Sequence, residues 1–103
     1  MSGGTIAEPP DARPVFSVSL AATVLVAGAP VTVTFTARRA DGGVRPFSGT
    51  LGWLFPDGQR HRLAFVDGVA SLAWRPRASG SGIFNSTPDR RLLAPVRFEV
   101  WDS

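Results

Sequence analysis

The chain of 103 residues contains no cysteine, no lysine and no tyrosine. The absence of cysteine excludes disulfide bonds, and it excludes every metal site or nucleophile that depends on a thiol. A domain of this length has room for one hydrophobic core, so without disulfides its stability depends on packing. The hydrophobic content of 44%, with seven phenylalanines and three tryptophans, suits such a core and argues against wholesale disorder.

Charge of either sign is sparse. The eleven basic residues are all arginine and face eight acidic ones, a net charge of +3. The pI near 11.3 is high because almost nothing titrates between histidine and arginine. The arginines stand in dispersed pairs rather than in a run, so we expect no nucleic-acid partner, although loops that gather several pairs would form a basic stripe. The near-absence of Lys, Tyr, Asn and Ile is typical of GC-rich coding and indicates a GC-rich bacterium or its virus.

Long hydrophobic runs are also missing. The stretch 15–29 is too short and too interrupted to span a membrane, so no membrane insertion is expected. Acidic residues before it, Glu8 and Asp11, and a proline after it, Pro30, argue against a signal peptide. No export signal is therefore predicted. Residues 1–14 hold three prolines and no apolar periodicity, which predicts an extended arm that precedes a domain at 15–103.

The densest pattern in the chain lies between Leu51 and Trp74. Two turn sequences, Pro-Asp-Gly at 56–58 and Asp-Gly at 67–68, divide this stretch into three short alternating runs. Gly58 suits a turn with a bulge, and Asp-Gly suits a two-residue hairpin turn with positive φ angles. The pattern predicts a β-meander of three strands.

Further alternating runs flank the meander. The clearest is 31–38, in which Val31, Val33, Phe35 and Ala37 share one face. We also predict strands at 15–20 and 23–26 with a kink between them, at 83–87, and at 96–101. The total of seven to eight short strands with turns between them predicts an all-β, antiparallel sandwich.

Three segments resemble the bacterial Ig-like domains of the invasin and intimin type. They are VAGAPVTVTFTARRADGG at 26–43, SGTLGW at 48–53 and DGVASLAWRPRASGSGIF at 67–84. The resemblance extends over about Val15 to Trp101 and implies an Ig-like β-sandwich. The proline-rich arm and the single copy depart from the usual tandem arrangement. Modules of this type also occur singly on phage capsids and tails, which makes a virion protein an expectation.

Catalytic and metal chemistry find little support in the sequence. His61 is the only histidine, and no carboxylate stands nearby in sequence to orient it. The turn aspartates, such as Asp41 and Asp57, are isolated, whereas a calcium site needs several converging oxygen ligands. We therefore predict a protein that is not an enzyme and that has no metal or other cofactor.

Partner contacts are predicted at the arm and near the C-terminus. Phe98 pointing inward places Trp101 outward, where an exposed tryptophan is a typical interface anchor. The arm can lie along a neighbouring subunit or add to a sheet edge. The predicted partner-binding residues are Ile6, Pro9, Pro10, Arg13, Arg90, Arg91 and Trp101.

These expectations define a structural or interaction protein. The leading interpretation is a phage virion accessory protein, either a capsid decoration subunit or a small tail component. Its partners would be capsid or tail subunits, or copies of itself. The alternative is a bacterial cell-surface adhesion or carbohydrate-binding Ig-like module. That alternative predicts a flanking domain or an export signal in the gene.

Overall fold

The computed structural model describes residues 15–88 and 90–102, so the predicted arm at 1–14 lies outside the described residues. Within these ranges the chain forms nine β-strands and no helix, which confirms the all-β prediction. The strands are β1 (Val15–Leu20), β2 (Val24–Val26), β3 (Val31–Arg38), β4 (Gly49–Leu54), β5 (Arg60–Phe65), β6 (Val69–Trp74), β7 (Gly80–Phe84), β8 (Arg91–Leu92) and β9 (Val96–Trp101).

The strands form three hydrogen-bonded sheets in the described part of the chain. The first has the order β6-β3-β1-β8, the second the order β2-β9-β7, and the third is the hairpin β4-β5. The predicted antiparallel pairing is confirmed between the longer strands. Two short edge strands pair in parallel instead, β8 with β1 and β2 with β9. Both of these strands have three residues or fewer, too short for periodicity to reveal their pairing.

One aromatic core joins the sheets. Phe35 on β3 lies 4.7 Å from Trp53 on β4 and 6.2 Å from Phe84 on β7, measured between ring centroids. Each of these three side chains is almost fully buried. The alternation predicted for β3 is confirmed, since all its inward residues are buried. The three sheets therefore pack their apolar faces against each other, in the manner of a β-sandwich.

The first predicted hairpin turn is confirmed. The Gly58 N–H donates to the Phe55 carbonyl at 3.0 Å, and the Phe55 N–H donates to the Gln59 carbonyl at 2.9 Å. Gly58 has φ of +81°, the left-handed conformation that a turn with a bulge requires. This turn sets the register of β4 and β5, in which Trp53 lies opposite His61.

The second turn forms as predicted, but the meander prediction is wrong for its third strand. Asp67 and Gly68 both have positive φ, and Val66 and Val69 exchange the two hairpin hydrogen bonds. Beyond that single bridge β6 leaves β5 and pairs with β3 over its full length. The cause lies in the turn, because the Ala37 N–H donates to the Gly68 carbonyl at 2.7 Å and ties the turn to the end of β3.

The strand predicted at 83–87 runs instead from Gly80 to Phe84, so the predicted bounds are wrong at both ends. Gly82 lies opposite Phe98 in the ladder between β7 and β9. A Cβ atom on Gly82 would lie only 2.3 Å from the Phe98 ring. The ring therefore packs directly on the backbone of β7, and this strand position requires glycine.

Candidate functional site: the Trp101 face and the Asp57 cluster

An exposed apolar surface lies on the outer side of the second sheet. Trp101 ends β9 and pairs in register with Val26 on the edge strand β2, while Val24 pairs with Glu99. The exposed fractions are 60% for Trp101, 45% for Val26 and 53% for Val24. We call these three residues the Trp101 face. Their side chains share one side of the sheet because outward and inward residues alternate along both strands.

Trp101 is held in place by its own strand. The indole Nε1–H donates to the Glu99 carboxylate at 3.2 Å, two residues earlier on the same side of β9. Phe98 and Val100 are buried, as the sequence predicts for an outward Trp101. A large aromatic side chain that is fixed before binding loses little conformational entropy when a partner covers it.

The predicted arginine contacts lie elsewhere. Arg91 is exposed on β8, at the edge of the first sheet, and Arg90 is half-buried at a turn bridge with Thr87. β9 starts after Arg90 and Arg91 in the chain, and Trp101 lies at its far end, about 17 Å from the first residue of the strand. The structure therefore does not bring Arg90 and Arg91 together with Trp101. Ile6, Pro9, Pro10 and Arg13 lie outside the described residues.

A polar cluster closes the tip of the β4–β5 hairpin. Asp57 Oδ2 accepts a hydrogen bond from the Trp74 indole Nε1–H at 3.0 Å and lies 3.1 Å from His61 Nε2. Asp57 Oδ1 accepts the Gln59 backbone N–H at 2.8 Å. The cluster ties the hairpin to β6, a strand of another sheet. The prediction that no carboxylate orients His61 is therefore wrong, because the turn folds Asp57 back onto a residue four positions later.

Electrostatics favour an ionised Asp57. Partial burial acts to raise the pKa of its carboxyl group, but the hydrogen bonds from Trp74, from the Gln59 backbone and from His61 together hold the pKa below its ordinary value. The side chains of His61 and Asp57 are 27% and 28% exposed. They border an open cleft of about 370 Å³ that Arg75 and Arg77 also line. His61 packs on the Phe55 ring at 4.3 Å between centroids, so the cluster also joins the aromatic core.

The turn chemistry of Asp57 was visible in the sequence, but its partners were not. An aspartate that accepts the N–H two residues later is the usual arrangement in such turns. Trp74 is 17 residues away on a strand of another sheet, so no local pattern could assign it to Asp57.

Within residues 15–88 and 90–102, no group of three His, Cys, Asp or Glu side chains is placed to hold a metal ion. Nor does any helix suited to crossing a membrane occur there.

Comparisons with other proteins add no relative, since no protein-family model matches the chain and no curated protein or solved structure gives a significant match.

Proposed function

We propose that this protein is a non-enzymatic binding module that docks onto other protein through the Trp101 face. The observation that carries the proposal is a tryptophan 60% exposed and fixed by Glu99. Tryptophan is enriched among the residues that dominate binding free energy, especially where apolar neighbours surround it. Val24 and Val26 supply those neighbours on an edge strand. Clustered apolar exposure of this kind marks interaction surfaces more often than isolated exposed residues do.

A protein partner fits this surface better than a glycan. A carbohydrate platform is expected to present two or three aromatic rings on one exposed face. Among the described residues Trp101 is the one exposed aromatic side chain, and aliphatic valines flank it. The carbohydrate-binding alternative therefore has less support than protein binding.

Within this class we propose an Ig-like virion accessory protein, a capsid decoration subunit or a small tail component. The resemblance to Ig-like domains supports the proposal, as does the arrangement of β1, β3 and β6 in one sheet and of β7 and β9 in another. Such a subunit would use the Trp101 face to bind capsid or tail protein. A bacterial surface adhesion module is the alternative.

The test is attachment to virus particles from cultures of the encoding strain. The wild-type chain should copurify with particles isolated on a density gradient. Trp101→Ala should weaken binding to the particles by about 2 kcal/mol or more. Leu93→Ala is the matched control, because Leu93 is 59% exposed but lies before β9 rather than on the Trp101 face. Recovery in the cell envelope with binding to glycan would favour the adhesion alternative. Equal attachment of both variants would contradict the role of the Trp101 face.

A further inference from the structure

The outer side of the β4–β5 hairpin is cationic and separate from the Trp101 face. Its inward positions carry Trp53 and Leu63, which are buried. Six residues of the two strands point to the outer side; none of them is acidic, and two are arginine. The outward residues are Thr50, Gly52 and Leu54 on β4 and Arg60, Arg62 and Ala64 on β5.

Gly52 forms a notch in the middle of this surface. Arg62 lies directly opposite Gly52 in the ladder. The Arg60 side chain crosses from β5 over Gly52, with Cδ 3.0 Å and Nη1 3.8 Å from the position that a Cβ atom on Gly52 would occupy. Thr50, Gly52, Arg60 and Arg62 line an open cleft of about 470 Å³. The missing side chain thus lets a guanidinium lie above β4 itself.

Among the described residues, the strand beneath that guanidinium has one edge without a partner strand. In the described part of the chain, β4 pairs with β5 alone. Alternate residues of a strand at a sheet edge direct their backbone N–H and C=O groups away from the existing partner. Such an edge accepts an added strand, whose backbone supplies the hydrogen bonds while side-chain contacts supply specificity.

We propose that the Gly52 notch and the free edge of β4 bind an extended acidic segment of a partner protein. The segment adds to β4 as a strand, and a carboxylate side chain on its outer side enters the notch beside Arg60 and Arg62. Guanidinium groups bind carboxylates through paired, charge-assisted hydrogen bonds. Thr50 lines the same cleft. The specificity is for acidic residues at alternate positions, because side chains on one side of a strand recur every second residue.

A polypeptide fits these features better than a single-stranded nucleic acid. Proteins that bind single strands combine a basic groove with exposed aromatic rings on which bases stack. The outer side of the hairpin carries no aromatic residue, and Leu54 is its one large apolar side chain. A free strand edge is used by a peptide backbone and has no counterpart in base stacking.

To test this, the isotopically labelled full chain is titrated with a soluble peptide of alternating Thr and Glu, and the backbone NMR signals are monitored during the titration. A peptide of alternating Thr and Gln is the matched probe without charge. We expect shifts confined to β4 and β5 with the Glu peptide, and much weaker ones with the Gln peptide. Absence of shifts on β4, or equal binding of the two peptides, would overturn the proposal.

Three variants separate the notch from general attraction of charge. Arg62→Glu should weaken peptide binding by about tenfold or more, since it removes a charge-assisted partner. Gly52→Val should also weaken it, because the new side chain displaces Arg60 from β4. A β-branched residue suits a strand and gives this variant a good prospect of folding normally. Arg97→Glu makes the same change of charge on β9, a strand of another sheet that does not line this cleft. It should change the affinity by no more than about twofold, because solvent and salt screen exposed charges that make no direct contact.

Two further results would overturn the proposal. If Arg97→Glu weakens binding as much as Arg62→Glu, the attraction belongs to the whole surface and not to the notch. If an oligothymidylate shifts the same β4 and β5 signals at lower concentration than the Glu peptide, the surface is a nucleic-acid site. Both results are independent of the Trp101 face, so they leave the proposed function unaffected.

Discussion

At the scale of single residues, Asp57 links parts of the chain that are distant in sequence. Its carboxylate accepts hydrogen bonds from the backbone of its own turn, from the next strand and from a tryptophan on another sheet. Asp41 makes the same local bond, accepting the Gly43 N–H at 2.8 Å. Asp57 therefore differs from Asp41 by its side-chain partners. Comparing substitutions at the two residues isolates the effect of those partners on stability.

Replacing Asp57 by alanine should reduce the free energy of unfolding by about 1–3 kcal/mol near neutral pH, since Trp74 loses its acceptor. The matched change Asp41→Ala should cost less. The pKa of Asp57 is lower in the folded state, so its stabilisation is present above the unfolded value of about 3.9 and is lost as pH falls through the folded value. Urea denaturation of both variants at pH 7 and in the acid range measures this. A constant difference between wild type and Asp57→Ala down to the lowest pH would contradict the assignment.

At the scale of elements, the turn at Asp67 and Gly68 decides which sheet β6 joins. Gly68 donates to the Phe47 carbonyl at 2.8 Å and accepts from Ala37, so its backbone lies against two other segments. A Cβ atom there would lie 2.4 Å from the Arg45 carbonyl oxygen. Gly58 has a similar positive φ but has nothing within 4 Å of the same position.

Alanine at these two glycines should therefore have unequal effects. Gly58→Ala meets only the cost of the left-handed conformation, about 1–2 kcal/mol. Gly68→Ala adds a clash with backbone and should cost at least about 2 kcal/mol more, in the range of overpacked cores. Thermal and urea unfolding of the two variants tests the difference. Equal losses would show that the backbone around Arg45 yields easily and that the turn is not anchored as described.

At the scale of the whole molecule, the sheets are joined by side chains more than by hydrogen-bonded ladders. The β4–β5 hairpin has no ladder to another sheet within the described ranges, and it packs through Trp53 against Phe16 and Phe35. Phe16 lies 5.3 Å from the Trp53 ring in an edge-to-face arrangement. Interactions of this kind favour unfolding of the hairpin together with the rest of the domain.

We expect a single cooperative transition in which tryptophan fluorescence and far-ultraviolet circular dichroism coincide. Phe35→Ala should lower the free energy of unfolding by about 3–5 kcal/mol, a large part of the stability of a domain of this size. Leu93→Ala should change it by no more than about 0.5 kcal/mol, because Leu93 is exposed. A separate early transition seen by fluorescence alone would show that the hairpin unfolds independently.

Local patterns in the sequence determined most of the strands and their faces, but not β8 or the start of β7. Alternation in 31–38 and 96–101 correctly identified the buried residues, because the side chains of a strand point to opposite sides with a fixed period of two. The turns at Gly58 and Gly68 were equally predictable, since few residues other than glycine adopt positive φ at low cost. The outward position of Trp101 followed from the same alternation.

Only the tertiary structure decided which strands meet. The pairing of β6 with β3 depends on hydrogen bonds between Gly68 and segments distant in sequence, and the start of β7 at Gly80 depends on the Phe98 ring. The contacts of Asp57 with Trp74 and of Arg60 with Gly52 likewise join different strands. Period and turn type act over a few residues, whereas these contacts arise from packing between sheets. The sequence therefore determined most of the elements and their faces, and packing decided the remaining bounds and the partners of the strands.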